Sequence, residues 1–413
     1  MGTCPTFSAF LWISGEGYGG GMPLPDRDHE ITFFAETDYR GERRSFGIRR
    51  RDRRAHMYFI GRTGMGKSSL LETLIVSDLR SGNGLALLDP HGDLAAKVRA
   101  QVPEKRILDL IDFDPAERPI GYNPLRTSDS SRRYLVASGL ISAFRKVWSE
   151  SWGPRMEHIL RHALLTLAEF PGSTLLDLPR LLTDQPFRRS VIDRVTDTQV
   201  QSFWKTEFDR YSPNFRSEAV APILNKIGAF LASPVARAVL GVREATLDLR
   251  QVIDEGKILI ANLSKGKLGE DASSLLGALL VAGFEQAALG RADTPESERL
   301  DFYLYLDEVQ NFATLSLAGM LQETRKYRLG LVMANQYLEQ LDERVQKAIL
   351  GNIGTFITFR VGVRDAKILA DEFFPDFSVE DLVNLAQYHI YVRLMIDGVV
   401  SRGFSAVTLT PPA

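Results

Sequence analysis

Gly61-Arg62-Thr63-Gly64-Met65-Gly66-Lys67-Ser68 fits the pattern G-x-x-x-x-G-K-[ST] without a gap. Its glycines permit the backbone angles that aim successive N–H groups inward as an anion nest. A helix starting at the end of the run adds its positive N-terminal end. The flanks supply that context: His56 to Ile60 reads as a short apolar strand, and Ser68 to about Arg80 as an amphipathic helix. In such a loop the lysine, here Lys67, reaches the β- and γ-phosphates of a nucleotide, and the Ser68 hydroxyl ligates Mg²⁺. The phosphate site is therefore assigned to Gly61, Thr63, Gly64, Met65, Gly66, Lys67, Ser68 and Ser69.

Working outward, buried-type strands alternate with helices. Leu85 to Leu88 ends at Asp89, and Ile107 to Phe113 follows. The rhythm resumes with strands at Ile258–Leu263, Phe302–Leu306, Leu329–Ala334 and Thr355–Val361, and a helix at Ala272–Ala288. His389–Ile396 and Phe404–Leu409 read as two closing strands. This pattern predicts a mostly parallel sheet covered on both faces. Between about Leu125 and Val242 strand signals nearly vanish, and apolar residues such as Ile159, Leu160, Ala163, Leu164 and Leu167 recur at helical spacing. The expected organisation is a flexible segment over 1–30, the first part of an ATPase domain over 31–124, an all-α insertion over 125–242, and the second part of the ATPase domain over 243–413. Met22, just past a glycine-rich run, is a candidate start. Ile31–Ala35 and Ser45–Ile48 read as a hairpin, and eight arginines fall between Arg40 and Arg54. That stretch reads as a solvated, charged surface, or alternatively as a basic surface meeting DNA or anionic lipid.

Asp307-Glu308 closes the apolar run Leu304-Tyr305-Leu306. Beside a phosphate loop, the second acidic element stands at the end of a strand neighbouring the loop's own. Asp307 would hold the Mg²⁺ shell and Glu308 would act as general base toward water. The base-reading motif N-K-x-D of GTPases is missing, since Asn225-Lys226 is followed by Ile227 and Gly228. The implied reaction is ATP hydrolysis with Mg²⁺. Asp89-Pro90-His91-Gly92-Asp93 is either an ordinary turn capped by Asp93 or a site where Asp89 nears the γ-phosphate. Gln336 ends a strand, where a glutamine can sense the γ-phosphate. Arg325 and Arg328 precede that strand and suit completion of a neighbour's active site. Arg360 and Arg364 are lesser candidates for the same task.

Composition excludes little. With 50 Lys+Arg against 52 Asp+Glu the net charge is −2, so no global basic field points to nucleic acid. A single cysteine, Cys4, rules out an internal disulfide and a cysteine-built metal site and suits a reducing, cytoplasmic setting. Phe7–Ile13 is too short to span a bilayer, and no stretch is expected to do so.

The phosphate loop, Leu87-Leu88-Asp89-Pro90-His91-Gly92-Asp93, the α insertion, Asp307-Glu308, and Glu323-Thr324-Arg325-Lys326-Tyr327 with Gln336 eleven residues past the arginine come in one order. Together they resemble the FtsK–HerA superfamily of ring ATPases, and within it the coupling proteins of conjugation and type IV secretion (TraD/TraG-like), over roughly residues 31–409. The resemblance implies an α/β, RecA-like P-loop NTPase fold with an inserted all-α domain. It implies a homohexamer with ATP between subunits and DNA, gripped without sequence preference, in the central channel. It also implies Gln336 as the sensor glutamine, Arg325 as an arginine finger acting in trans, and an α domain facing the DNA-processing complex. Relaxosome or secretion components are the implied partners. Thr324 stands where that segment often has glycine. Coupling proteins usually carry N-terminal transmembrane helices, so a separate membrane anchor, peripheral attachment at the inner face of the membrane, or a soluble relative are the options here. The rival expectations are a HerA-like translocase working with a nuclease, a secretion receptor ATPase for protein cargo, and an ATP-binding switch without turnover. Ser264–Lys267 is a candidate pore loop, or a solvated one.

Overall fold

The computed structural model describes residues 24–411, apart from 39–41, 128 and 245. Most of the expected flexible segment 1–30, Met22, and Arg40 therefore lie outside the described residues. Leu24–His29, within that segment, forms a 3₁₀ helix.

The strands are β1 (Ile31–Thr37), β2 (Ser45–Arg49), β3 (Met57–Ile60), β4 (Gly84–Asp89), β5 (Leu110–Phe113), β6 (Ile258–Asn262), β7 (Phe302–Leu306), β8 (Leu329–Asn335), β9 (Thr355–Thr358), β10 (His389–Arg393), β11 (Met395–Ile396), β12 (Val399–Val400) and β13 (Phe404–Thr408). Eleven of them form one sheet in the order β2-β1-β13-β10-β9-β3-β8-β7-β4-β6-β5. From β9 to β5 every neighbouring pair is parallel. The four strands on the other flank run antiparallel to their neighbours. Residues of β3, β4, β7 and β8 are buried along their whole length, as a sheet covered on both faces requires.

One face packs against the helix Lys67–Ser81 and the helix Asp93–Ala100, through Leu70, Leu71, Leu74, Leu94 and Val98. The other face packs on Glu270–Gly290, whose residues Leu275, Leu279 and Phe284 are fully buried. Between Phe113 and Ile258 the described residues contain helices and no strand. Their apolar side chains join the same continuous core, with Arg133–Val147 packed on Glu270–Gly290. The helix at 270–293 is long and apolar enough to cross a membrane, a match unseen in the run of residues, but 72% of its apolar window is buried against the rest of the fold.

Four local expectations differ from the structure. Ile107–Asp109 belong to a 3₁₀ turn rather than to β5, because Arg106 donates to the carbonyls of Asn83 (2.6 Å) and Gly256 (2.7 Å) and pins the turn. The strand expected over 389–396 breaks after Arg393. Leu394 N–H donates to Ser401 Oγ, and β11 folds back on β12 through Asp397 (φ 53°) and Gly398 (φ 81°), a left-handed pair suited to a two-residue turn. Ser264–Lys267 is not irregular throughout, since Lys265–Leu268 is a helical turn, although Gly266 and Lys267 are solvent-exposed as a surface segment requires. The arginine-rich stretch is solvated only in its first part, where Arg43 and Arg44 are exposed; from Arg49 on it turns into the fold. Arg49 and Arg51 pair with Asp397, Arg50 and Arg54 with Asp301, and Arg53 with Asp78.

Arg53 and Asp78 are fully buried. The guanidinium donates to both carboxylate oxygens, at 2.6 and 2.8 Å, and also to Tyr305 Oη at 2.8 Å. It lies 3.7 Å over the Tyr303 ring. Tyr305 Oη in turn donates to Asp78, as does Asn83 Nδ2 at 2.8 Å. A buried charge left without its partner is costly, whereas a matched apolar replacement of both is tolerated. Asp78→Leu is therefore expected to lower stability by about 3–5 kcal/mol in urea denaturation. Adding Arg53→Met should recover most of that. A loss below about 1 kcal/mol for the single variant would contradict the network's role.

Candidate nucleotide-binding site

The phosphate loop follows β3 at the carboxyl end of the parallel strands, where α/β sheets place their ligands. Its shape depends on glycine. Gly66 has φ 117°, outside the reach of ordinary side chains. Gly61 sits so close to the chain after β9 that a Cβ there would stand 2.5 Å from Phe359 Cβ. Lys67 is buried, and its ammonium donates to the carbonyls of Gly61 (2.6 Å) and Arg62 (3.3 Å). Burial holds its pKa below the usual lysine value, with Glu308 and Asp307 opposing the shift. Ser68 and the exposed Thr63 and Gly64 face outward around it, with Ser69 half-buried on the first helical turn.

The acidic pair is not on the neighbouring strand. β8 intervenes between β3 and β7, because β3 pairs with β8 and β9 on its two sides. The sheet still brings the two segments together, with Ser68 Oγ 3.5 Å from Asp307 Oδ2. The pKa of Asp307 is pushed up to about 7 by burial, with the charges of Asp89 and Glu308 adding and Lys67 opposing. A hydroxyl and a buried carboxylate disfavoured as a lone anion make a donor set of hard oxygens suited to Mg²⁺. Glu308 occupies the left-handed region (φ 48°), a strained conformation for a residue with a side chain. Its two carboxylate oxygens accept from Gln336 Nε2 (3.0 Å) and Gln310 Nε2 (2.7 Å).

The intervening strand thus delivers Gln336 to the glutamate, while Asn335 is structural, accepting from Tyr58 Oη and donating to the Tyr337 carbonyl. Asp89, rather than Asp93, caps the following helix, accepting the N–H groups of His91 and Ala95, each at 2.8 Å. Arg325 is exposed in the 3₁₀ turn Thr324–Tyr327 ahead of β8, at the amino end of the strands. The seven residues of β8 put it roughly 20 Å from its own phosphate loop. It lines a cleft of about 560 Å³ with Arg51, Arg54, Glu323 and Lys326. Arg328 lies 4.0 Å from Asp301, and Arg364 pairs with Glu339. Arg360 sits beside the phosphate loop, its carbonyl accepting from Arg62 N–H.

Residues unnoticed in the sequence include Gln310, Gln387 and Tyr388. Gln310 offered only its spacing of two from Glu308. Gln387 Nε2 donates to the Gly64 carbonyl (2.8 Å) and Tyr388 N–H to the Met65 carbonyl (3.0 Å). Nothing near position 61 in the sequence announces these partners.

The sequence profile of the family described as "Type IV secretion-system coupling protein DNA-binding domain" matches residues 45–384. No curated protein matches the chain. Among solved structures, the fold is similar to that of the bacterial conjugative coupling protein TrwBdeltaN70, at 16% identity and a TM-score of 0.66, covering 94% of this chain and 91% of the other. TrwB in complex with ADP and Mg²⁺ matches at 17% identity and 0.64, covering 95% and 97%. VirB4 of Thermoanaerobacter pseudethanolicus matches at 15% identity and 0.57, covering 93% and 96%.

A carboxyl whose pKa is higher folded than unfolded binds more protons in the folded state across the interval between the two values. Its contribution to stability therefore falls as pH rises from the ordinary carboxyl range to about 7. Glu285, also raised to about 7 by burial, contributes the same slope elsewhere in the fold. Without nucleotide or metal, the wild-type chain should lose more thermal stability between pH 5 and 8 than Asp307→Asn does. Melting curves across that range that run parallel for the two proteins would contradict the assignment.

Proposed function

Because the chain belongs to the family of type IV secretion-system coupling protein DNA-binding domains, we propose that it is an ATP-driven motor that moves DNA in conjugative transfer. The observation that carries this reading is the approach of Ser68 Oγ to Asp307 Oδ2 (3.5 Å), across 239 residues of chain. A hydroxyl and a carboxylate gathered at the mouth of a phosphate loop are the parts that hold a metal–nucleotide.

In the proposed reaction, Lys67 exchanges its two loop carbonyls for the β- and γ-phosphate oxygens. Ser68 and Asp307 would hold Mg²⁺, which would neutralise charge on the phosphates. Glu308 releases one of its glutamine partners and takes the proton of the attacking water. Gln336, on the same carboxylate, registers whether the γ-phosphate is present. Arg325 cannot serve its own nucleotide from the far end of β8, so it acts as a finger on the site of the next subunit in a homohexamer. DNA passes through the ring and is held by its phosphates, without sequence preference. We assign residues 125–242 to an inserted helical domain that faces the DNA-processing partners. In this reading the motor works at the cytoplasmic face of the membrane, beside secretion components. The family match favours this reading over a nuclease-coupled translocase and over a receptor for protein cargo.

Lys67→Ala is expected to lower ATP turnover by roughly 100-fold or more while leaving the melting temperature and far-ultraviolet circular dichroism unchanged. Turnover near wild type would remove the loop from the reaction. Arg325→Ala and Glu308→Gln subunits, each inactive alone, should regain activity when mixed, since some interfaces then pair an intact glutamate with an intact arginine. Mixed assemblies that stay inactive would contradict a finger in trans.

A further inference from the structure

Tyr388 is the most strained aromatic residue near the phosphate loop. Its φ of 65° lies in the left-handed region, which costs a bulky side chain on the order of 1–3 kcal/mol and persists only where the surroundings hold it. Three bonds hold it. Its N–H donates to the Met65 carbonyl (3.0 Å), its carbonyl accepts from Thr408 N–H (3.0 Å), and Gln387 beside it donates to the Gly64 carbonyl (2.8 Å). The result is an aromatic ring laid against Gly66, with Cδ1 and Cε1 only 2.7 and 3.2 Å from the place a Cβ would occupy. The residue is nevertheless 43% exposed, whereas the apolar side chains Phe359 and Met65 near the loop are buried. Among the described residues its hydroxyl has no hydrogen bond.

Core packing does not explain an exposed ring held by a strained backbone, and an asparagine or glycine would take the same turn without strain. What the position offers is a flat, partly exposed aromatic face beside Gly66, the last glycine before the helix. We propose that Tyr388 is the nucleoside platform of this site, stacking the purine base of the bound nucleotide on its ring. The proposal rests on the reading of residues 61–68 as a triphosphate site and adds the part of the site that recognises the nucleoside. Stacking of this kind accepts any base with a π face and contributes on the order of 1–3 kcal/mol per base.

The test compares ATP with inorganic tripolyphosphate, which carries the same anionic chain and no base, on the full chain by calorimetry or competition binding. Tyr388→Gly removes the ring and relieves the strain, so it should fold at least as stably as wild type. It should bind ATP about tenfold more weakly and tripolyphosphate as well as before. Tyr388→Phe should keep wild-type affinity for both. If Tyr388→Gly weakens ATP no more than tripolyphosphate, the ring is only a buttress of the loop and the proposal is overturned. If wild type binds neither ligand, the triphosphate reading fails instead, so the two failures are distinguishable.

Discussion

A buried guanidinium fixes where the acidic strand stands relative to the phosphate loop. Arg53 lies just before β3, Asp78 on the helix that begins in the loop, and Tyr305 two residues before Asp307 on β7. Bringing these three into one hydrogen-bonded knot ties the loop's strand, the loop's helix and the acidic strand together below the site. The strands are parallel, so fixing their feet also fixes the order of their carboxyl ends. Ser68, Asp307, Glu308 and Gln336 then meet above the sheet as a consequence of register rather than of flexible loops.

The same parallel arrangement separates the two ends of the machine. Lys67, Ser68, Asp307, Glu308 and Gln336 gather at the carboxyl ends, while Arg325 and its cluster of charges lie at the amino ends. Within one chain, Arg325 and the phosphate loop therefore stand at opposite ends of the strands. Strain adds to this picture, since Glu308 and Tyr388 both sit in left-handed backbone within reach of the loop. Such strain gathers where geometry is set for a ligand rather than for the core.

Much of this was legible in the sequence because the signals were local. The glycine pattern at 61–68, the apolar runs of β4, β7 and β8, and the carboxylates after Leu306 each carry their own physics within about ten residues. The fold class follows from them, and so does the assignment of residues 61–68 as the proposed phosphate loop. Long-range facts were not legible. No spacing says that β8 slips between β3 and β7, that Arg53 is buried on Asp78, or that Gln387 and Tyr388 return to the loop from the far end of the chain. The arginine-rich stretch misled for the same reason, since its counter-charges Asp78, Asp301 and Asp397 are distant in sequence. The turn after β4 is capped by Asp89 and not by Asp93, a swap that local spacing does not reveal, and the Asp89 charge still acts on Asp307.

The most direct test of a single metal–nucleotide site is Mn²⁺ binding followed by electron paramagnetic resonance in the presence of a non-hydrolysable ATP analogue. The account predicts one tight nucleotide-dependent Mn²⁺ per chain, weakened at least about tenfold by either Ser68→Ala or Asp307→Asn, since both donors are needed for hard-oxygen coordination. A tight site that survives the loss of either side chain would contradict it.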